Sequence, residues 1–258
     1  MHFIDTHCHL DAAEFGSHAA ALVAQSRAAG VTTLVIPAVE RANFASVQQL
    51  CASQPACAPA YGIHPMYVAH ATPADLDVVR EFLQQPNVVA VGEIGLDFFV
   101  EGYDQQQQEF YFSEQLKLAR EFDLPVLLHI RRAQDTILKH LRQIRVRGGI
   151  AHAFNGSPQQ AAEFIKLGFK LGFGGAMTYS RASKLRELAR TLPLDSLVLE
   201  TDAPDIPPDF LARGEPNKPE YLPRIAQTLA DLRGMSLQEI AAATSTNARA
   251  VMPKLPRA

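Results

Sequence analysis

The chain has 258 residues, of which 47% are hydrophobic and 20% are charged, and its formal net charge at pH 7 is −3. This length and apolar content suffice for one sizeable core, and no apolar stretch is long enough to predict a membrane helix. The slightly acidic balance excludes a protein that coats duplex DNA through a broad basic face, because that binding needs many lysines and arginines.

Short apolar runs alternate with segments of helical spacing, which is typical of βαβ units around a parallel sheet. Eight runs predict strands over Phe3–Cys8, Thr33–Pro37, Ala58–Ile63, Val88–Glu93, Val126–His129, Gly149–Ala153, Lys170–Gly174 and Leu197–Glu200. Between them, three- and four-residue apolar steps, as in Phe44, Val47 and Cys51, predict outer helices with one buried stripe. The glutamine run 105–108 is predicted to begin the fourth helix. The prediction is a single-domain α/β protein over residues 1–258, a (β/α)8 TIM barrel.

The chain beyond the eighth strand is rich in proline from Ala203 to Pro219. A helical pattern follows, with Leu222, Ile225 and Leu229 at helical spacing. We expect the C-terminal helices, from about residue 218, to pack on the barrel.

The three cysteines at positions 8, 51 and 57 include no Cys-x-x-Cys pair. An odd count without such a pair suits a reducing compartment better than a disulfide framework. We therefore expect a soluble, cytoplasmic protein without a membrane partner, whose cysteines are buried apolar filler.

Candidate metal ligands fall at the carboxyl ends of the predicted strands, where a barrel of this type builds its active site. They comprise five of the nine histidines and three carboxylates: His7, His9, His64, Glu93, His129, His152, Glu200 and Asp202. Each buried imidazole needs its own hydrogen-bond partner, so packing alone does not explain why five collect there. We predict that these side chains converge on a metal site.

Taken singly, each group has a structural alternative. His7 and His9 share a strand face about 6.6 Å apart, but such a pair also occurs as ordinary polar residues at a strand end. Glu93 could form a salt bridge to an arginine, and a lone histidine is more often a core residue than a ligand. Glu200 and Asp202 share a face if the strand persists that far, or they cap the following turn.

Together these motifs resemble the TatD-type metal-dependent deoxyribonucleases, a branch of the amidohydrolase-like barrels. The resemblance runs almost end to end and rests on the segments 3–11, 62–65, 92–97, 124–129, 152–157 and 200–204. It implies two divalent metal ions, one held by His7, His9, Glu93 and Asp202, and one held by Glu93, His129 and His152. Glu93 would bridge them, and His64 would lie near the substrate.

The resemblance implies hydrolysis of phosphodiester bonds in DNA, single-stranded or at chain ends, by a water that two cations activate. Asp202 is the candidate proton acceptor, Glu200 would orient a ligand, and His64 would donate to substrate oxygens. Arg131 is a candidate phosphate contact, with a surface salt bridge as the alternative. The ligand types are compatible with Zn, Mn, Mg, Co or Fe. Residues 98–103 depart from the family's pattern, so the resemblance does not indicate which residues of that loop contact the substrate.

Two rival functions stay open. An enzyme of the same superfamily could act on an amide, a lactone or another phosphoester, because fold does not determine substrate. Many such enzymes carry a carboxylated lysine where this chain has Glu93, which favours the nuclease branch. The other rival is a metal-stabilised binding or quality-control protein without turnover.

Overall fold

The computed structural model describes residues 1–256, and its eight parallel strands form one sheet in chain order. The strands are β1 (Phe3–Asp5), β2 (Val31–Pro37), β3 (Cys57–Tyr61), β4 (Ala90–Asp97), β5 (Val126–Arg131), β6 (Gly149–Ala151), β7 (Phe169–Phe173) and β8 (Leu197–Leu199). Backbone hydrogen bonds just beyond β1 and β8 close the circle, from Thr6 N to Leu199 O (3.1 Å) and from Asp202 N to His7 O (2.9 Å). The predicted (β/α)8 barrel is confirmed.

Helices separate the strands and surround the sheet. Over the described part of the chain they are α1 (Ala19–Ala28), α2 (Phe44–Ser53), α3 (Pro73–Leu83), α4 (Gln105–Glu121), α5 (Gln134–Gln143), α6 (Pro158–Lys166), α7 (Ser183–Thr191), α8 (Leu222–Arg233) and α9 (Leu237–Val251). The predicted stripe of Phe44, Val47 and Cys51 is buried in α2. Helix α4 begins at Gln105 as predicted, because Asp104 caps it by accepting hydrogen bonds from Gln106 N and Gln107 N.

The apolar core has two layers. The larger cluster lies between sheet and helices and includes Leu222, Ile225 and Leu229 of α8. The second cluster contains residues from the strand region, among them Ile4 and Val198, and it is joined by side chains from the end of α9, namely Ala248, Val251 and Met252. The C-terminal helices therefore contribute to both layers, so they form part of the barrel's packing.

The predicted bounds of β4 were wrong, because the strand continues to Asp97 instead of ending at Glu93. The residues paired with β5 step from Val91 to Ile94 while the partners step from Val126 to Leu128. This irregularity is a bulge at Gly92 and Glu93, and bulges commonly change the direction of a side chain next to an active site. Glu93 therefore projects from inside a strand.

The ends of β1, β6 and β8 also differ from prediction. Strand β1 stops at Asp5, so His7 and His9 lie beyond the strand and do not share a strand face. Strands β6 and β8 stop at Ala151 and Leu199, so His152 and Glu200 lie just beyond them. Asp202 has a φ of 59°, in the left-handed region. Strand alternation therefore does not bring Glu200 and Asp202 onto one face; a turn positions them instead.

Within residues 1–256, no helix combines the length and apolar character that crossing a lipid bilayer requires.

Candidate metal centre

The barrel mouth encloses a cavity of about 1230 Å³. Its lining contains most of the predicted site residues: His9, His64, Glu93, Arg131, His129, His152, Glu200 and Asp202. His7 is fully buried beside them. The structure thus brings together residues that are as much as 195 positions apart in the chain, counting from His7 to Asp202.

His7 occupies the centre of one group of ligand atoms. Its Nε2 lies 3.0 Å from Glu93 Oε2, 3.2 Å from His9 Nε2 and 3.8 Å from Asp202 Oδ1. His9 Nε2 lies 3.6 Å from the same oxygens of Glu93 and Asp202. Lone pairs of two imidazoles and two carboxylates therefore face one small region.

The other oxygen of Glu93 faces a second group. Its Oε1 lies 3.0 Å from His129 Nδ1 and 3.6 Å from His64 Nε2. A carboxylate whose two oxygens face separate sets of imidazoles has the form of a bridging ligand.

His152 connects to both acidic residues that follow β8. Its Nε2 lies 3.4 Å from Asp202 Oδ1, and its Nδ1 lies 3.0 Å from Glu200 Oε1. The ring stacks on His7 with 3.7 Å between ring centres.

The grouping of ligand atoms differs from the division implied by the resemblance. Sets of mutually close atoms are formed by His7 with Glu93 and His152, by His7 with His9 and Asp202, and by His64 with Glu93 and His129. His152 thus lies with His7, not with His129. How the ligands are shared between two ions stays a prediction.

The tautomer of His64 distinguishes this residue from the other histidines. Met66 N donates to His64 Nδ1 at 3.1 Å. Because Nδ1 is an acceptor, the neutral ring carries its proton on Nε2, the atom that faces Glu93. In this tautomer the Nε2–H of His64 is a hydrogen-bond donor.

The two buried carboxylates and two of the histidines, His7 and His64, already have the charge states that bind metal, whereas His9, His129 and His152 must each lose a proton to a metal. Burial opposes a charge on these three rings, but the neighbouring carboxylates outweigh it, raise the pKa of His9 to about 9 and raise the pKa values of His129 and His152. Burial lowers the pKa of His7, and it lowers the pKa of His64 to about 3, so both rings are neutral at pH 7. Burial opposes ionisation of Glu93, but His7 and His64, once protonated at low pH, and the side-chain contacts with His129 and His7 outweigh it and hold the pKa of Glu93 well below its ordinary value. Burial also opposes ionisation of Asp202, which His152 and His9 outweigh, lowering its pKa.

These residues fit divalent cations by their donor chemistry. Neutral imidazole nitrogens and ionised carboxylates are the forms in which histidine, aspartate and glutamate bind metals. A mixed set of nitrogen and oxygen donors suits first-row transition metals, and the carboxylates also admit Mg²⁺.

Asp97 contacts His129 and had no role in the sequence-based prediction. Its Oδ2 lies 3.0 Å from His129 Nε2, and its Oδ1 accepts hydrogen bonds from Phe99 N at 2.9 Å and Val100 N at 3.2 Å. Burial disfavours the carboxylate, but the contact with His129 and these N–H groups lower the pKa of Asp97 to about 2. The available signal was its place at the end of the acidic motif 92–97.

Asp5 and Asn217 are two further buried residues that sequence reasoning missed. Asp5 Oδ1 accepts hydrogen bonds from His7 N and Thr201 N, and Asp5 Oδ2 accepts one from the Thr201 hydroxyl at 2.6 Å. Asn217 Nδ2 donates to Thr201 O at 2.7 Å and so ties the proline-rich segment 203–219 to the barrel. Both residues brace the turn that carries Asp202.

Arg131 lies at the rim of the cavity. Its Cζ is 3.9 Å from the centre of the Phe99 ring, and its Nη1 is 4.0 Å from Asp97 Oδ2. Its side chain is half exposed. The guanidinium of Arg131 is therefore accessible from the cavity, and a phosphate contact by Arg131 stays a prediction.

The three cysteines are free and buried. Cys8, between His7 and His9, does not line the cavity, and its Sγ lies 3.7 Å from Val35 O.

Comparison with known proteins gives a consistent result. The family model described as TatD related DNase matches residues 4–253. An uncharacterized metal-dependent hydrolase of Escherichia coli K12, YjjV, is 43% identical over 95% of both chains. A Klebsiella pneumoniae protein named 3'-5' ssDNA/RNA exonuclease TatD is 34% identical over 95% of both chains.

Solved structures agree with these relatives. The crystal structure of E. coli YjjV, described as a TatD homolog, superposes with a TM-score of 0.94 at 42% identity and covers 97% of this chain and 98% of that chain. A TatD-family hydrolase of Entamoeba histolytica, at 18% identity, has a TM-score of 0.86 over 98% of both chains and supports the fold alone.

Proposed function

Since the chain belongs to the TatD-related DNase family of metal-dependent hydrolases, we propose that it hydrolyses phosphodiester bonds of DNA, single-stranded or at chain ends. The observation that carries the proposal is Glu93, whose two carboxylate oxygens face separate sets of imidazoles.

Three free buried cysteines favour a reducing compartment, and we propose that the protein is located in the cytoplasm.

We propose that two divalent ions bind at the mouth. His7, His9, Glu93 and Asp202 would hold one ion, and Glu93, His129 and His152 would hold the second. Divalent ions in such a site stabilise charge on phosphoryl oxygens and make water a nucleophile at neutral pH.

The residues of the chain have separate roles in this proposal. Asp202 is the proposed proton acceptor, since its ionised side chain is partly open to the cavity. Glu200 is a positioning residue, because its Oε1 lies beside His152 Nδ1 and accepts a hydrogen bond from Ala153 N. His64 carries its proton on Nε2 and is the proposed donor to a substrate oxygen. Arg131 is the proposed phosphate contact.

The bridging role is tested by Glu93→Ala, with Glu187→Ala on α7 as an exposed control. We expect Glu93→Ala to lose both ions, because each would lose a shared anionic ligand, whereas the control keeps them. Elemental analysis of the purified variants measures the occupancy. Two ions per chain in Glu93→Ala would contradict the bridge.

The reaction is tested by release of nucleotides from single-stranded DNA with added Mg²⁺ or Mn²⁺, beside a panel of amides, lactones and phosphotriesters. Relatives named 3'-5' ssDNA/RNA exonuclease support the nucleic-acid substrate. We expect DNA to be degraded and the panel to be left intact. Turnover of an amide or lactone without nucleotide release would favour the rival enzyme class.

A further inference from the structure

The loop after β4 presents an aromatic ring to the cavity. In the described residues, the exposed large apolar side chains are Met1, Phe99 and Phe110, and Phe99 is 43% exposed. Phe99 lines the cavity, whereas Phe110 lies on α4 outside it. The exposed part of Phe99 is therefore accessible to a ligand in the cavity.

Two guanidinium groups lie against this ring. The Cζ atoms of Arg131 and Arg132 are 3.9 Å and 4.6 Å from its centre, respectively. Consecutive residues of an extended strand point to opposite sides. Arg132, however, has a φ of 54°, in the left-handed region of backbone conformation that residues other than glycine rarely adopt. The irregular backbone lets both neighbours contact one ring.

Short contacts through Asp97 connect the backbone of Phe99 to the metal centre. Phe99 N donates to Asp97 Oδ1, while the other oxygen of Asp97 contacts His129. Phe98 N also donates to Arg131 O at 2.8 Å. The loop, the arginine pair and the metal centre are therefore joined by short contacts.

This combination matches a nucleotide chemically. Bases of single-stranded nucleic acids stack on aromatic rings and guanidinium planes, and guanidinium N–H groups bind the adjoining phosphates. The net charge of −3 gives the chain no general attraction for polyanions, so a local basic and aromatic surface is needed to hold one.

We propose that Phe99, Arg131 and Arg132 form a base-stacking subsite, which takes one nucleobase of a single-stranded nucleic acid beside the scissile phosphate. The inference rests on the proposed phosphodiesterase function. A base in a duplex is covered on both faces by its neighbours, so the subsite selects single strands. Every base has a π-face, so it selects little by sequence.

The test uses two oligomers of equal length and charge, oligo(dT) and an abasic oligomer with the same phosphodiester backbone. The full-length protein is assayed for hydrolysis with Mn²⁺ and, in EDTA, for binding by fluorescence anisotropy. We expect the wild-type protein to prefer oligo(dT) over the abasic oligomer by roughly 5- to 100-fold in both measurements, as stacking of one base provides. Phe99→Ala should bring this ratio close to one, Phe99→Trp should retain it, and the exposed control Phe110→Ala should leave it unchanged.

The possible outcomes distinguish a failure of the proposed subsite from a failure of the proposed phosphodiesterase function. A wild-type ratio near one, or equal ratios in Phe99→Ala and Phe110→Ala, would overturn the subsite even if both oligomers were hydrolysed. If Phe99→Trp lost the preference for oligo(dT) as completely as Phe99→Ala, the subsite would also be overturned. A preference in binding that depends on Phe99, without hydrolysis of either oligomer, would support the subsite and overturn the phosphodiesterase function.

Discussion

Individual side chains at the mouth are prepared for their roles by groups behind them. Met66 N sets the tautomer of His64, and Glu200 lies against the Nδ1 of His152. Asp97 contacts Nε2 of His129 and also accepts a hydrogen bond from the backbone N–H of Phe99. Partners of this kind orient a ligand ring and choose which nitrogen is free to bind.

The partner of His129 is tested by Asp97→Asn. An amide in place of the carboxylate keeps the size of the side chain but loses the anion that faces His129 Nε2. We expect metal affinity or activity to fall by roughly 10- to 100-fold, the usual effect of losing such a partner. Competition with a fluorescent chelator measures the affinity, and Asp231→Asn on the exposed face of α8 is the control. Equal affinities in the two variants would refute this role.

Local capping determines how the elements around the barrel begin. The start of α3 is an example, because Asp75 accepts hydrogen bonds from Thr72 N at 2.8 Å and from the Thr72 hydroxyl at 3.1 Å. Its other oxygen accepts a hydrogen bond from Arg41 Nη1 at 2.8 Å, which links α3 to the turn before α2. The backbone hydrogen bond from Thr72 and the contact with Arg41 lower the pKa of Asp75.

This capping predicts a pH-dependent effect of Asp75→Ala. The ionised form is favoured in the folded state, so its stabilisation is complete above the ordinary pKa of 3.8 and is lost as pH falls through the lower folded-state value. At pH 7 the variant should lose about 1 kcal/mol of unfolding free energy, a typical value for a lost cap. Urea titrations at pH 7 and in the acid range measure it, with Asp77→Ala, exposed on the same helix, as the matched control. A difference between wild type and Asp75→Ala that grew on acidification would contradict the prediction.

At the scale of the whole molecule, six of the eight strands, or the segments directly after them, direct buried histidines and carboxylates into one cavity. Without cations, these groups sit in a region of low dielectric where unpaired charges are costly. Bound metal would therefore stabilise the whole barrel as well as serve the reaction. The non-catalytic alternative shares this feature and differs only in the absence of turnover.

Chelation should consequently lower the melting temperature. An ion present at 100 times its dissociation constant contributes about 2.7 kcal/mol, which corresponds to roughly 5–10 °C for a chain of this size. Calorimetry with and without EDTA measures the shift, and Glu93→Ala should be insensitive to EDTA. No shift in the wild-type protein would contradict metal binding at the mouth. A shift without nucleotide release would favour the non-catalytic alternative.

The sequence by itself determined the barrel and most of the candidate metal-site residues at its mouth, because alternating apolar runs and histidines at strand ends are local patterns. Tertiary structure alone decided the bulge at Glu93, the tautomer of His64, the place of His152 beside His7, and the buried supports Asp5, Asp97 and Asn217. These features depend on strand register and on contacts between distant positions, such as Asp5 and Thr201, which are 196 residues apart. Periodicity carries no information about such contacts, because it records which face of an element is buried and not which atom lies opposite.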